Sequence, residues 1–368
     1  MQPVRILFLD YTNGIGLGGG QRSLALLVRH LPRDRYQAVV ACPPGEQLRD
    51  LLPPGVPALD LPLSPAFTAA SRSSGGPLAY AGAMASATSA MAGLRKLLVS
   101  QRIDLIHANN FKMHVLASVA SVGLKIPVLW HVRDIFPERT AGLLRLAGRT
   151  ADRVLTVSRA VASQFGDDRK VSVLYNAVEL PPEPGLGSPG GSAPVIGYVG
   201  RLDGGKGLDT LVNAFLGLLA RHPTARLLLT GEGPERRSIP KHPAIEVTGF
   251  QADVTAAWRR MDICVQPSSQ PDSFPRAVIE AMSWAKPVVG AAIGGIPEAI
   301  EDGTTGLLFH PGDAAGLGAR LEALLRHPGR ARAMGSAGRR RCEAMFSIPA
   351  QIRQLTKIYE STHAICHS

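Results

Sequence analysis

The first half of the chain alternates short apolar runs with segments of helical spacing. Val4–Leu9 is a mainly apolar run, and residues 21–30 place Leu24, Leu27 and Val28 on one helical face. Short apolar strands that alternate with helices predict a parallel sheet covered on both faces. The other segments of this half are strands at 38–41, 104–107, 126–130 and 153–157, a helix at 115–122, and an uncharged helix of small residues within 73–94.

The composition changes at residues 179–194, where ELPPEPGLGSPGGSAP holds five Pro and four Gly. We interpret this segment as a linker, because it cannot pack a core. The alternation then resumes with a strand at Val195–Val199 and a helix over 207–221. It continues with strands at 226–230, 263–266 and 287–290 and helices at 276–284 and 297–301.

The whole pattern predicts an α/β protein with two doubly wound, Rossmann-like domains of parallel sheet. The first domain spans residues 1–178 and the second spans 195–348. Ligands of such sheets bind beyond the carboxyl ends of the strands, so we expect the two domains to face an interdomain cleft. A length of 368 residues fits two domains, and a hydrophobic share of 45% excludes global disorder.

The formal net charge of +11 is concentrated in the first half, where residues 1–178 hold 20 Lys and Arg against 11 Asp and Glu. A basic domain attracts anions, and the alternative is simply an Arg-rich codon usage. No block of Lys and Arg with interleaved aromatic residues occurs, so we expect no nucleic-acid partner. A further candidate partner is an anionic membrane, and the alternative is that these basic residues form a solvated face. The residues concerned are Arg95, Lys96, Arg102, Arg139, Arg145 and Arg149.

The four cysteines are scattered without a CxxC pair, which argues against a disulfide scaffold and fits a reducing cytosol. The N-terminal MQPVRILFLD has too short an apolar core and the wrong flanks for a signal peptide. The sequence therefore predicts a cytoplasmic location, with peripheral contact at the inner membrane face as an extension of it.

A glycine-rich loop, NGIGLGGGQ at 13–21, follows the first strand and precedes a helix. Its glycines match the spacing of a dinucleotide fingerprint, and glycine lets a phosphate approach the backbone. That fingerprint also needs an acid about 20 residues further on, whereas the nearest acid, Glu46, lies beyond two prolines. NAD binding is disfavoured, while an anion or sugar pocket and a flexible turn both stay open.

The motif GYVGRLDGGKG at 197–207 follows a strand and opens a helix. Arg201 and Lys206 lie five residues apart on this glycine-rich turn, so both can reach one diphosphate. Arg offers a fork for two oxygens and Lys adds a point charge. The alternative, two solvated surface charges, is disfavoured by the flanking glycines.

The motif PDSFPRAVIEAM at 271–282 places Asp272 before a helix and Glu280 about two turns later. Carboxylates accept hydrogen bonds from the hydroxyls of a sugar or a ribose. The N–H groups at the start of the helix, near residues 274–277, point towards whatever lies above it. The alternative for Glu280 is a buried structural acid.

These motifs, with KPVVG, GGIPEAI and DGTTGLLF after them, resemble glycosyltransferase family 4, the group 1 glycosyl transferases, over essentially the whole chain. The resemblance implies the GT-B fold, with the acceptor in the first domain, a nucleotide-sugar in the second, and a final helix in 349–368 that packs back on the first domain. It implies a retaining transfer from a UDP- or GDP-sugar, with no cofactor.

By position, the resemblance assigns Arg201 and Lys206 to the donor diphosphate and Glu280 to the ribose. Asp272 stands where the family usually has Glu and would contact hydroxyls of the donor sugar, and its shorter side chain puts the identity of that sugar in doubt. His131 matches a histidine that approaches the donor sugar, or is a core histidine. The backbone that would line or close over the donor belongs to Ser273, Phe274, Pro275, Arg276 and Ala277, and to Gly18, Gly19 and Gly20.

The acceptor is expected to be a glycan or a lipid-linked precursor of cell-surface polysaccharide. His107 lies at the end of a strand that faces the same cleft, and Asn109 and Asn110 follow it, so we expect these residues to contact the acceptor. No Asp-x-Asp occurs, and His107 with His131 lacks a third metal ligand. We therefore expect no metal, and Arg201 and Lys206 would stabilise the departing diphosphate.

Three alternatives keep parts of this interpretation. A sugar-nucleotide epimerase or hydrolase has the same fold. A catalytically silent nucleotide-sugar-binding protein is suggested by Asp272 in place of Glu. A dehydrogenase would need the acid that the first glycine loop lacks. The motifs leave open the nucleotide base, the sugar, the acceptor and the oligomeric state.

Overall fold

The computed structural model describes residues 2–11, 18–61, 63, 77–182 and 193–367, without the side chains of residues 77–86, 139 and 364–367. Gly14 and Gly16 of the first loop, linker residues 183–192 and the Arg139 side chain lie outside this description. The chain divides into two compact units. The first comprises Met1–Val157, Val161–Leu174 and Ile352–Ser368, and the second comprises Ser158–Ala160 and Tyr175–Gln351.

The elements from the N-terminus to residue 174 alternate between strand and helix. The strands are β1 (Val4–Leu9), β2 (Tyr36–Cys42), β3 (Ala58–Asp60), β4 (Leu105–Ala108), β5 (Val128–Val132), β6 (Arg153–Thr156) and β7 (Val171–Val173). The helices are α1 (Gly19–His30), α2 (Pro77–Ser100), α3 (Phe111–Ala120), α4 (Glu138–Gly148) and the one-turn α5 (Arg159–Ala162).

The elements after residue 194 repeat the alternation. The strands are β8 (Val195–Val199), β9 (Arg226–Thr230), β10 (Ile245–Gly249), β11 (Ile263–Gln266), β12 (Val288–Ala291) and β13 (Gly306–Phe309). The helices are α6 (Leu208–Leu219), α7 (Thr255–Arg260), α8 (Arg276–Ser283), α9 (Ile296–Ala299), α10 (Ala314–Arg326), α11 (Pro328–Arg341) and the C-terminal α12 (Ile348–His367).

Within the described residues, the first unit holds a seven-stranded sheet of order β3-β2-β1-β4-β5-β6-β7, in which neighbours pair in parallel. The strand order reverses between β1 and β4, and Leu9 pairs in register with Ala108. Residues 10 and 109 therefore leave the sheet side by side, where ligands of such sheets bind. The core beneath combines β1, α1 and α12 through Ile6, Phe8, Leu24, Leu27, Leu355 and Tyr359.

The described part of the second unit holds a six-stranded parallel sheet of order β10-β9-β8-β11-β12-β13, which reverses between β8 and β11. Helix α6 buries the stripe that its spacing predicts, including Leu211, Phe215 and Leu218. Each fully buried side chain of this kind contributes about 1.5–3 kcal/mol of transfer free energy. The loops after β8, β9 and β11 thus start from a fixed core.

The predicted fold class, two doubly wound domains of parallel sheet, is confirmed. Some predicted helix bounds are wrong. The helix predicted at 115–122 begins at Phe111, because the Asn110 side chain accepts from Met113 N at 3.2 Å and caps its first turn. The helix predicted from 207 begins at Leu208, because Gly207 is left-handed with a φ of 68°. Helix α9 ends at Ala299 rather than at 301. No helix in the described segments is long and apolar enough to cross a bilayer.

Candidate active site

Two glycines fix the loop between β8 and α6. Gly207 has a φ of 68°, and a Cβ there would overlap the carbonyl oxygen of Pro267, just after β11. Gly231, just after β9, has a φ of 148°, and a Cβ there would overlap the carbonyl oxygen of Gly200. Only glycine fits such positions. The loop that carries Arg201 and Lys206 is therefore held against the carboxyl ends of β9 and β11.

Lys206 and Asp272 form a close ion pair at this edge of the sheet. Lys206 Nζ lies 2.6 Å from Asp272 Oδ2, and the two side chains are only 26% and 11% exposed. The sequence predicts each residue at the strand ends but not their pairing. In this pair each charged group is already positioned at the strand ends. An incoming anion would compete with Asp272 for Lys206.

Arg201 has a different carboxylate partner. Arg201 Nη2 lies 2.9 Å from Asp203 Oδ2, and the Arg201 side chain is 66% exposed. The two cations that were expected on one diphosphate are thus neutralised separately in this structure. Because an exposed ion pair contributes only about 0.2–1 kcal/mol, Arg201 can leave Asp203 at little cost.

The segment at Asp272 and Ser273 rests directly on a pair of glycines. A Cβ on Gly294 would overlap the Asp272 carbonyl oxygen, and a Cβ on Gly295 would overlap that of Ser273. Gly295 N also donates to the Asp272 carbonyl oxygen at 2.8 Å. The GGIP motif therefore holds the backbone around Asp272 in place, which fixes the carboxylate that faces Lys206.

Phe274 anchors the next residues through its ring. The ring is buried against Tyr175 and Phe346, with centroid distances of 5.0 Å and 5.4 Å. The Phe274 carbonyl oxygen accepts from Asn176 Nδ2 at 3.0 Å. Pro275 is the N-cap residue of α8 and makes no side-chain cap hydrogen bond, and the first-turn N–H groups of a helix have no acceptor within it. The backbone of residues 273–277 is thus the part of this segment that can meet a ligand.

Glu280 is held by Arg276 one turn before it. Arg276 Nη2 lies 3.1 Å from Glu280 Oε1, while Arg276 Nη1 donates to the Ala177 carbonyl oxygen at 2.9 Å. Both side chains are mostly buried. The sequence predicts Arg276 as a backbone contact only, so the orienting role of its guanidinium is an addition from the structure.

In the first unit, a buried carboxylate joins the ends of β1 and β4. Asp10 accepts from Asn109 Nδ2 through Oδ2 and from Asn110 Nδ2 through Oδ1, both at 2.7 Å. The Tyr11 N–H also donates to Oδ1 at 2.7 Å. Burial raises the pKa of Asp10, and the hydrogen bonds from the two asparagines oppose that rise. Asp10 therefore orients Asn109 and Asn110, which were predicted to contact the acceptor.

A chain of polar side chains continues from Asn109 across the sheet. Arg133 Nε donates to Asn109 Oδ1 at 2.6 Å, and Arg133 Nη2 lies 3.2 Å from His131 Nδ1. His107 Nε2 lies 3.0 Å from the same Nδ1. His107 Nδ1 lies 2.6 Å from the Tyr359 hydroxyl of α12. His107 thus has both ring nitrogens bonded inside the protein and, being fully buried, offers neither to an acceptor here.

The histidines of this cluster are kept neutral. Burial, followed by the charge of Arg133, lowers the pKa of His107 and of His131 well below the usual range. Burial also lowers the pKa of His114 to about 3. His131 is 0% exposed, and its Nε2 has no hydrogen-bond partner among the residues described. Among the described side chains that are hydrogen-bonded in series from Asn109 through Arg133, His131 and His107 to Tyr359, His131 Nε2 is the one ring nitrogen without a partner.

The start of α1 adjoins the same cluster. Gly18 N donates to Gln21 Oε1 at 3.1 Å, and Gly19 is the first residue of α1. A Cβ on Gly20 would lie 3.4 Å from Arg133 Cδ and 4.0 Å from Asn109 Nδ2. The structure thus brings the glycine segment together with Asn109 and Arg133.

Four residues of the cluster were not predicted to act: Asp10, His114, Arg133 and Tyr359. Asp10 and Arg133 stand directly after apolar strands, the same position that singled out Asn109, so this rule would have found them. Tyr359 carries no local signal, because only the tertiary fold brings α12 beneath β4. No three His, Cys, Asp or Glu side chains converge as a metal site in the segments that the structure describes.

Two family models match the chain. Residues 18–177 match the Glycosyl transferase 4-like domain, and residues 193–327 match the model named Glycosyl transferases group 1. Only residues 1–17, 178–192 and 328–368 fall outside both. The first match covers β2 to β7 and the second covers β8 to β13, and together they include every predicted donor-site residue.

Curated relatives and solved structures agree with these matches. A D-inositol 3-phosphate glycosyltransferase of Corynebacterium aurimucosum is 33% identical over 193 residues, 47% of this chain and 45% of the relative. A sulfoquinovosyl transferase of Arabidopsis thaliana is 28% identical over 278 residues, 65% and 53% of the two chains. The chain thus spans about half the length of these relatives.

The crystal structure of Anabaena Alr3699/HepE in complex with UDP aligns with a TM-score of 0.79 at 23% identity, over 97% of this chain and 100% of that one. At this identity the likeness shows the fold, a GT-B fold of two parallel-sheet domains. Fold and family models lead to one conclusion: this chain has the GT-B fold and belongs to glycosyltransferase family 4, the group 1 glycosyl transferases.

Proposed function

We propose that this enzyme transfers a sugar from a UDP- or GDP-sugar to a glycan or lipid-linked acceptor in the synthesis of cell-surface polysaccharide. Transfer retains the anomeric configuration and needs no metal ion. The observation that carries the proposal is the Lys206–Asp272 pair, 2.6 Å apart on two glycine-fixed segments. The pair lies just before the start of α8, where an anion is favoured by the helix dipole.

Donor binding exchanges the partners of these side chains. The diphosphate takes Lys206 from Asp272 and Arg201 from Asp203, in charge-assisted hydrogen bonds. Asp272, freed from the ammonium, accepts hydrogen bonds from hydroxyls of the donor sugar. Glu280, oriented by Arg276, accepts from the ribose hydroxyls. The backbone of residues 273–277 lines the phosphate and the sugar.

Catalysis follows from the charge that develops on the leaving group. As the nucleoside diphosphate departs, negative charge builds up on its distal phosphate, beside Lys206 and Arg201. A charged donor placed beside such a phosphate is worth about 3–4 kcal/mol. The chain has no Asp-x-Asp motif, which supports the proposal that these cations act in place of a metal.

The family resemblance assigns the remaining roles to residues of the first unit. It assigns His131 to the donor sugar and the backbone of residues 18–20 to the donor. The acceptor attacks from the face that the diphosphate leaves, without a covalent enzyme nucleophile. Asn110, only partly buried, contacts the acceptor, while the buried His107 and Asn109 hold their neighbours in position.

The proposed location is the cytoplasm, with peripheral contact with an anionic membrane. On α4, Leu143 and Leu146 are exposed beside the exposed Arg145, a combination typical of surfaces that touch anionic lipid. Sedimentation with vesicles of anionic and of neutral lipid tests this part. Equal binding to both, or binding to neither, contradicts it.

Titration calorimetry with UDP, GDP and their common sugar conjugates identifies the donor and tests the site. Removal of one charged partner costs about 1.5–3 kcal/mol, so Lys206→Ala should weaken binding of the preferred nucleotide about 10- to 150-fold. Arg201→Ala should weaken it in the same way. Lys241→Ala, at an exposed lysine of the same unit, is the matched control and should bind normally.

Unchanged affinity in both site variants would contradict the diphosphate role. Donor turnover without an acceptor would indicate a hydrolase or an epimerase, and binding without turnover on a broad acceptor panel would indicate a binding protein. The anomeric configuration of the product, read by NMR, tests retention. Activity that disappears with EDTA and returns with a divalent cation would contradict the metal-independent mechanism.

A further inference from the structure

We propose that Tyr359 and His107 are positioning residues that, together with Arg133, hold His131 as the neutral tautomer with its proton on Nε2. In that form His131 donates a hydrogen bond to an oxygen of the bound substrate and cannot accept a proton there. That a substrate oxygen accepts this hydrogen bond rests on the proposed function, but all the residues involved lie within the first unit.

The tautomer of His131 follows first from Arg133. A guanidinium only donates hydrogen bonds, so the ring nitrogen that it meets at 3.2 Å, His131 Nδ1, carries no proton. Arg133 is itself fixed, because its Nε donates to Asn109 Oδ1 at 2.6 Å. Asn109 is oriented in turn by Asp10, which accepts from its Nδ2 at 2.7 Å. The carboxylate after β1 therefore sets the direction of the whole chain of bonds.

The tautomer of His107 follows from that of His131. His107 Nε2 lies 3.0 Å from the bare Nδ1 of His131, so it must be the donor. The other nitrogen of His107 is then an acceptor, and the Tyr359 hydroxyl donates to it at 2.6 Å. Tyr359 keeps its proton, because burial raises the pKa of its hydroxyl well above the usual range. Two donors thus converge on His131 Nδ1.

The remaining nitrogen of His131 carries the proton and lacks an acceptor. Nε2 is buried, with no partner among the described residues. An unsatisfied buried donor is destabilising, and a substrate oxygen at this position would satisfy it. Protonation of Nδ1 would direct an N–H at those of Arg133 and His107, so a positively charged ring is disfavoured. Burial and the charge of Arg133 lower the pKa of His131 in the same sense.

NMR of the full chain labelled with ¹⁵N-histidine tests the tautomers without any substrate. The proton should reside on Nε2 in both His107 and His131, with His107→Gln and His131→Gln used to assign the signals. A proton on Nδ1 of His131, or a doubly protonated ring at neutral pH, overturns the inference. This readout does not depend on turnover, so it separates failure of the inference from failure of the proposed function.

Kinetics of Tyr359→Phe test the positioning role. Loss of one hydrogen bond is worth about 1 kcal/mol, so kcat should fall about fivefold while the affinity for the nucleotide stays unchanged. The matched control is Tyr36→Phe. Tyr36 packs against Tyr359 with ring centroids 5.6 Å apart, but its hydroxyl points to the Thr356 carbonyl oxygen. Equal kcat in the two variants overturns the role of Tyr359.

Two substitutions of His131 distinguish a donor from a base. The amide of His131→Gln keeps an N–H donor, whereas His131→Leu has neither a donor nor an acceptor. If His131 acts as a hydrogen-bond donor, the kcat of the Gln variant should be at least about fivefold higher than that of the Leu variant. A general base predicts that both variants are equally impaired, and that result would overturn the inference.

Discussion

The buried ring of His114 belongs to the cluster of polar side chains in the first unit. The His114 ring stacks on Trp130 at 4.9 Å, and its Nε2 donates to the carbonyl oxygens of Ala108 at 3.0 Å and of His131 at 3.2 Å. His114 Nδ1 is buried without a partner among the described residues. This environment favours the neutral ring, and burial lowers the pKa of His114 from 6.5 to about 3.

The sign of the pH dependence follows from that shift. The unfolded chain takes up a proton below about pH 6.5, whereas the folded chain does so only near pH 3. The stability from His114 is therefore complete above about pH 6.5 and is lost as the pH falls. The loss is about 2 kcal/mol at about pH 5, with a ceiling of about 5 kcal/mol in stronger acid.

Other groups of the cluster shift the total but not the comparison between variants. Burial lowers the pKa of His107 and of His131, so they add to the acid sensitivity. Burial raises the pKa of Asp10, so its protonation on acidification acts in the opposite direction. A variant at His114 leaves these contributions in place, and the difference isolates one ring.

Hydrogen exchange of the β4 and β5 amides measures the opening free energy of this sheet. The variant His114→Gln keeps an amide donor for the two carbonyl oxygens but does not titrate. From about pH 7.5 to about pH 5 its opening free energy should fall about 2 kcal/mol less than that of the unmodified protein. His30→Gln, at an exposed histidine of the same unit, should keep the original slope. If the slope of His114→Gln equals the original one, the assignment of a neutral buried ring is refuted.

Three further substitutions test the donor side. Gly207→Ala should weaken nucleotide binding at least about tenfold in calorimetry, because the new Cβ would overlap the Pro267 carbonyl oxygen at a left-handed φ. Asp272→Asn should tighten binding of the nucleoside diphosphate about threefold, because it frees Lys206. It should slow sugar transfer, because a neutral amide with one acceptor oxygen replaces the carboxylate that accepts from the sugar hydroxyls. Phe274→Ala should lower the free energy of unfolding by about 3–5 kcal/mol in urea denaturation, because its buried ring leaves a cavity.

Matched variants exist for these tests. Gly217→Ala adds a Cβ into open space on α6 and should bind nucleotide normally. Phe250→Ala removes an exposed ring and should change the unfolding free energy by well under about 1 kcal/mol. Nucleotide affinity that falls in Asp272→Asn would argue against competition between the carboxylate and the diphosphate. Gly207→Ala with normal affinity would argue against the role of the fixed loop.

The sequence predicts the elements whose signal is local. β1, β8, β9 and β11 agree with the structure to the residue, because each is a short apolar run between turn residues. β3 was missed, because it has only three residues and none of them is fully buried. The bounds of α3 depend on one side-chain cap at Asn110, which the apolar spacing does not register.

The candidate site divides in the same way. The motifs and the family resemblance predict Arg201, Lys206, Asp272 and Glu280 as site residues. The ion-pair partner of each is seen only in the structure. The pairing of Lys206 with Asp272 joins residues 66 apart in the chain. The GGIP glycines and the rings around Phe274 are equally remote in sequence, and their function is to fix a backbone whose own residues look unremarkable.

The discontinuity of the first unit has a consequence for biosynthesis. Leu355 and Tyr359, on the last helix, complete a core that β1 and α1 begin. During translation, residues up to 174 leave the ribosome long before the segment that closes their core and supplies the hydroxyl for His107. The nascent N-terminal half therefore lacks part of its hydrophobic core until α12 has been synthesised. A fragment of residues 1–174 expressed alone should bind acceptor poorly and aggregate unless a peptide of residues 348–368 is supplied with it.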